Sequence, residues 1–185
     1  MVVYELFFSS FPIGNRYSSL VCLLSGLRQN NLVDEESASI VFYESDVSRP
    51  QLDEESEAFD NLDLNEIIAI SRDFCESKNI LIVLSLPHDK EEVPVATGLT
   101  KKHCEGPVYA LQVYIGSFCI GDSYDETKTI MLREGVAFSL SGDGTIEDDL
   151  DFVKRIMGCE WYAKVSEVFE NAYGGPWGYK GFCYG

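Results

Sequence analysis

The segment Ile80-Leu-Ile-Val-Leu-Ser-Leu86 constrains this chain more than any other. The run is far too short to span a bilayer, which takes about 20 apolar residues. A nearly continuous apolar run of this kind marks a strand covered on both faces, and it predicts the central strand of a sheet. The stretch before it reads as a helix. Asp63 with Glu66 three residues on forms a capping box. Leu64, Ile67, Ile68 and Cys75 recur on one side with Phe74 beside them, and Lys78-Asn79 closes the helix.

The same local rules place the other elements. Val2 to Phe8 is aromatic and β-branched and predicts a strand, followed by a turn through Ser9, Ser10, Pro12, Gly14 and Asn15. Tyr17, Leu20, Val21, Leu24 and Leu27 make one face of a helix that Asn30-Asn31 ends. Ser39 to Tyr43 is a short strand. From residue 46 to 62 the chain is acidic and poor in large apolar residues, which predicts an exposed loop with at most a single helical turn. Val108 to Ile115 is a strand that Ser117 to Ile120 extends past Gly116, and Thr129 to Arg133 with Val136 to Leu140, split by Glu134-Gly135, predicts a hairpin.

Thr145 caps a helix with Glu147, Asp148 and Asp149 in its first turn, where the helix dipole favours acid. Ile146, Leu150, Val153 and Met157 form its apolar stripe, and Gly158 stops it. A further helix runs from Glu160 to Ala172, with Trp161, Val165, Val168 and Ala172 in register. The tail, residues 174–185, is rich in Gly and aromatics and cannot be helical; Trp177, Tyr179, Phe182 and Tyr184 either pack back onto the domain as a strand or cap or sit at an interface. The expected fold is a single α+β domain over residues 1–185, with a mainly antiparallel sheet of about five or six strands and four helices packed on it.

Charge is the second strong signal. Asp and Glu number 31 against 14 Lys and Arg, a formal net charge of −17. Disordered acidic chains are poor in aromatic residues; this one is 12% aromatic and 45% hydrophobic, so the acid sits on a folded core. Such a protein repels DNA, RNA and anionic membranes. The start, Met1-Val-Val-Tyr-Glu-Leu-Phe-Phe, has no basic region and predicts no secretory signal. The six cysteines are scattered with no CxxC. Together these features predict a cytoplasmic protein with cysteines used as small buried hydrophobes.

No motif names a reaction. His103 beside Cys104, with His88 in the preceding charged loop, could serve a nucleophile or a metal, but adjacent strand residues point to opposite faces. Ser141-Gly-Asp-Gly-Thr145 lacks the Gly-Lys-Ser/Thr of a phosphate loop and leads into acid that would repel phosphate. Asp143, Glu147, Asp148, Asp149 and Asp151, or Asp122, Asp125 and Glu126, lack EF-hand spacing. With so many acids, chance carboxylate pairs are uninformative. The expectation is no catalytic residue, no metal and no cofactor.

The acid clusters at Asp34 to Glu36, Asp53 to Glu57, Asp89 to Glu92, Asp122 to Glu126 and Glu147 to Asp151. A charge of −17 exceeds what solubility asks of a small domain. A negative surface steers onto a basic partner and can plug a basic cleft. In size, charge, α+β character and lack of catalytic motif the chain resembles the small acidic immunity proteins of bacterial toxin systems. It also resembles phage-encoded DNA mimics. The first resemblance implies an inhibitor that occludes the basic active site of a toxin or nuclease domain with acidic loops. The residues expected to bind the partner are Asp53, Glu54, Glu55 and Glu57, then Asp122, Asp125 and Glu126, with Trp177 and Tyr179 of the tail as aromatic anchors. Two other classes remain open: an adaptor subunit docking through its tail, and an enzyme with a Cys/His or carboxylate site of no short signature.

Overall fold

The structure, a computed structural model, describes residues 3–9, 14–43, 57–87, 108–120, 130–143, 149–175 and 177–184. In chain order the elements are β1 (Val3–Ser9), α1 (Arg16–Gln29), β2 (Ala38–Tyr43), β3 (Glu57–Leu62), α2 (Leu64–Phe74), β4 (Asn79–Ser85), β5 (Val108–Ile120), β6 (Ile130–Asp143), α3 (Asp149–Gly158), α4 (Glu160–Tyr173) and β7 (Gly178–Tyr184). The strands form one sheet in the order β3-β2-β4-β5-β6-β1-β7, and every pairing is antiparallel. This is an α+β fold with four helices, as expected. The sheet has seven strands, more than the sequence predicted. The extra ones come from the acidic segment, where β3 replaces the end of the expected loop, and from the tail, which forms β7.

Side-chain alternation divides the sheet into two unlike faces. Ile40, Ile82, Val113 and Phe138 lie in register across β2, β4, β5 and β6, all buried. They join Leu20, Leu23, Leu24 and Leu27 of α1, Leu64 and Ile67 of α2, Val153 and Ile156 of α3 and Trp161, Val165 and Phe169 of α4 in one core. All four helices therefore cover the same face. Burying each such side chain contributes about 1.5–3 kcal/mol. On the reverse face Tyr43, Phe118 and Ala137 pack with Leu81 and Tyr114. Beside them the Tyr114 hydroxyl and the buried Ser139 hydroxyl both donate to Gln112 Oε1, at 2.8 and 2.9 Å.

This division corrects the reading of the Ile80–Leu86 run. Ile80, Ile82, Leu84 and Leu86 are buried, whereas Leu81 and Val83 are only half-buried. The run is one full face and one partly covered face, and β5 rather than β4 takes the middle place in the sheet. The expected hairpin at Glu134-Gly135 is also corrected: β6 runs unbroken from Ile130 to Asp143. Gly135 sits opposite Gly116 in the register, at a bulge in β5.

Local chemistry sets the helix ends. Asn15 caps α1 by accepting from Ser18 N at 2.9 Å. Asn31, with φ +52, turns the chain out of α1 so that Leu32 N reaches Leu27 O, a left-handed step that Asn tolerates. The capping box of α2 is present, Asp63 accepting from Glu66 N and Glu66 from Asp63 N, each at 2.8 Å. In α3 the stripe is shifted from the expected one: Val153 and Ile156 are buried, and Met157 is exposed. Residues 144–148, including the expected cap Thr145, lie outside the described residues.

Close contacts then lock the layers. A Cβ on Gly26 of α1 would lie 2.7 Å from Val168 Cγ1 of α4, so the glycine lets these helices approach. Arg16 at the start of α1 donates to Lys78 O at 2.9 Å and Cys75 O at 3.3 Å, and pairs with Glu134 of β6. One guanidinium thus fastens α1, the end of α2 and the sheet. Trp161 Nε1 donates to Leu32 O at 3.0 Å, tying α4 to the turn after α1.

The bulge supplies a sharp test. Gly116 has φ +111, and a Cβ there would meet Asn79 Oδ1 at 2.1 Å, the atom that accepts from Ser117 N at 2.8 Å. Gly116→Ala combines a strained backbone with loss of that hydrogen bond, and is expected to cost about 2–4 kcal/mol in urea unfolding. Asn79→Ala, which removes only the hydrogen bond, should cost about 1 kcal/mol.

Candidate functional site

Among the described residues, Glu35, Glu36, Glu57 and Asp60 are exposed acids without an ion pair along the β3 border of the sheet, as Asp73 is on α2 and Glu167 and Glu170 are on α4. Two contacts assemble this border. Ala38 of β2 pairs with Leu62 of β3, and Leu64 N at the start of α2 donates to Glu35 O at 3.2 Å. The turn Asp34-Glu35-Glu36 is thereby held against the β3–α2 junction. Asp34 N donates to Ser85 O at 2.8 Å, and its carboxylate accepts from Glu36 N at 3.0 Å, which fixes the turn.

Within this border the acids have different duties. Asp63 and Glu66 are occupied by the capping box. Asp34 is occupied by its turn. Glu35, Glu36, Glu57 and Asp60 are exposed, and among the described residues no ion pair engages them. Arg28 of α1 reaches the start of α2 beside this border, donating to Asn65 Oδ1 at 2.8 Å. By contrast, Asp151 pairs with Arg155 and Glu160 with Lys164 along α3 and α4. The border thus carries exposed negative charge.

The expected partner-binding residues meet different fates. Glu57 opens β3 and is exposed, facing Phe42 of β2 in the register. Asp53, Glu54, Glu55, Asp122, Asp125 and Glu126 lie outside the described residues. Tyr179 is in β7, opposite Phe8 of β1. Of the two readings of the tail, packing on the domain is the one found at Trp177: it is only 9% exposed, with its ring 4.9 Å from that of Phe169 and 5.4 Å from that of Phe138. The tail packs on the core here, and Trp177 is part of what holds it. Charge composition could not find Asp60, Glu35 and Glu36 as one strip, because the β2–β3 pairing that joins them is non-local.

Five thiols and hydroxyls among the described residues are shifted, and each is shifted away from activation. Burial pushes the Cys75 thiol up to about 12, with Glu76 adding to the rise and Arg16 opposing it. The half-buried Cys159 is also raised by burial. Raised thiols hold little thiolate and are poor nucleophiles. Cys22, against expectation, is exposed on α1. Burial raises the hydroxyls of Tyr43, Tyr162 and Tyr173. Among the described residues no group of three or more His, Cys, Asp or Glu is placed to hold a metal ion, and no helix is long and apolar enough to cross a membrane. His88, His103 and Cys104 lie outside the described residues.

Two measurements separate structural from surface roles. Native thiol labelling mapped by mass spectrometry should modify Cys22 rapidly, and Cys75 only on unfolding. Trp177→Ala should lower unfolding free energy by about 3–5 kcal/mol, whereas Glu57→Lys and Asp60→Lys should each change it by no more than about 0.5 kcal/mol. No protein-family model matches the chain, and no curated protein matches its sequence.

Proposed function

We propose that this protein is a cytoplasmic protein-binding inhibitor, an immunity protein that neutralises a cognate toxin by covering its basic active site. The observation that carries the reading is the strip of unpaired acid along β3 and the 34–36 turn. It lies on a domain whose net charge is −17 and whose chain shows no catalytic motif. The strip replaces acidic loops as the described part of the proposed contact. Nucleases must carry positive charge where they hold their polyanionic substrate. A rigid negative border on a seven-stranded sheet can meet such a cleft without a large ordering cost.

Electrostatic attraction accelerates encounter. Association rates for charge-matched pairs reach about 10⁸–10⁹ M⁻¹s⁻¹ at low salt, against about 10⁵–10⁶ for neutral pairs. The same charge keeps the inhibitor off nucleic acid.

The test begins with the neighbouring gene. A toxin-like basic domain encoded beside this chain, expressed with and without it, should be lethal alone and tolerated together. The purified complex should associate at least about tenfold more slowly when salt is raised from low to physiological strength. Glu57→Lys with Asp60→Lys should reproduce much of that loss at low salt. Salt-independent binding, or full protection by the double variant, would sink the proposal.

A further inference from the structure

Among the described residues the border strand is also an edge of the sheet. Among the described residues β3 pairs with β2 alone and ends the strand order. Glu57, Ala58, Asp60 and Asn61 are exposed, while Phe59 and Leu62 turn inward against the core, Phe59 at 6.3 Å from the ring of Phe42. The inward pair anchors the strand. The exposed residues leave its outer side accessible, even at the small side chain of Ala58. An edge strand presents a row of N–H and C=O groups to solvent, and the natural complement of that row is another extended chain. Alternate residues point these groups outward, so a strand of this length offers about three of them.

Charge decides which chain can take the place. A second copy would bring its own Glu57 and Asp60 to the same edge, on a molecule of net charge −17, and like charges directly opposite are destabilising in a sheet. A strand carrying Lys or Arg meets the same residues favourably, and Glu35 and Glu36 beside the β3–α2 junction extend the attraction past the end of the strand. The bulge in the β2–β3 register, where Asn61 has φ +55, limits the regular stretch to the Glu57 end. We infer that β3 docks an extended basic segment of the protein partner by antiparallel or parallel strand addition, with main-chain hydrogen bonds supplying the fit and Glu57 and Asp60 the selectivity for positive charge. The inference rests on the proposed basic partner but specifies how it is held.

The test needs no knowledge of that partner. Two capped peptides of alternating Lys and Thr are compared, identical except that one is N-methylated at every backbone nitrogen, which blocks both of its edges. Both carry the same charge, and only the unmethylated one can pair with a strand edge. Titration should show the methylated peptide binding at least about tenfold more weakly. Hydrogen exchange should show amides within residues 57–62 slowing on addition of the unmethylated peptide, and not on addition of its counterpart. Glu57→Lys with Asp60→Lys, confirmed folded by its unfolding midpoint, should abolish both effects. Equal binding of the two peptides, or binding with no slowing at 57–62, overturns strand addition while leaving a charge-matched partner in place. Failure of the unmethylated peptide to bind overturns it as well.

Discussion

The packing of Phe138 against Phe169 is the contact on which the rest of the structure depends. Their rings are 4.5 Å apart, both fully buried, and they bind the middle of β6 to the middle of α4. Trp177 closes on both, so the same contact fastens the chain as it leaves α4 to form β7. Aromatic pairs contribute about 0.5–1.5 kcal/mol each beyond their area. That gain is set against a cost, because Trp177 Nε1 and the Tyr173 hydroxyl are buried here with no hydrogen-bond partner among the described residues. An unmet buried donor costs about 1–3 kcal/mol. The cluster holds because its apolar contacts are many and its unmet groups few.

From this contact the position of the charge follows. With α4 seated on β6, Gly26 brings α1 against Val168, and Arg28 at the end of α1 reaches Asn65 of α2. The helices then occupy the face toward which Ile40, Ile82, Val113 and Phe138 point, and its covered part is apolar. Carboxylates are left the turns, the outer helix surfaces and the border strand. On α3 and α4 some are balanced by basic residues one helical turn away. At β3 they are not, since a strand six residues long has no such neighbour to offer.

Much of this was legible locally. The capping box of α2, the alternation of β2 and β4 and the ends of α1 are written in residues three or four apart, and a reading of short windows finds them. What escaped depends on distant partners. The segment Glu57-Ala-Phe-Asp-Asn-Leu62 reads as loop because only Phe59 and Leu62 reach the core; it is a strand because β2 pairs with it. Glu134-Gly135 reads as a turn, yet Gly135 faces Gly116 across a bulge and the strand passes straight through. Met157 and Ile156 are one step apart on a short helix, and hydropathy does not choose between them; the position of α4 does. The acidity that suggests a basic partner was plain from composition, whereas the neighbourhood of Glu35 and Glu36 with the end of β3 is a product of β2–β3 pairing and of the Leu64–Glu35 hydrogen bond.

Among the described residues the two border strands of the sheet differ in charge. β3 carries Glu57 and Asp60 and is flanked by Glu35 and Glu36. β7 lies in a stretch, residues 171–185, with no Asp or Glu and with Lys180. Exposed charges of this kind act over about a Debye length of 8–10 Å. Under the proposed reading, the carboxylates at β3 would therefore favour a basic chain there and disfavour a second copy, because like charges opposed across a strand pair are destabilising.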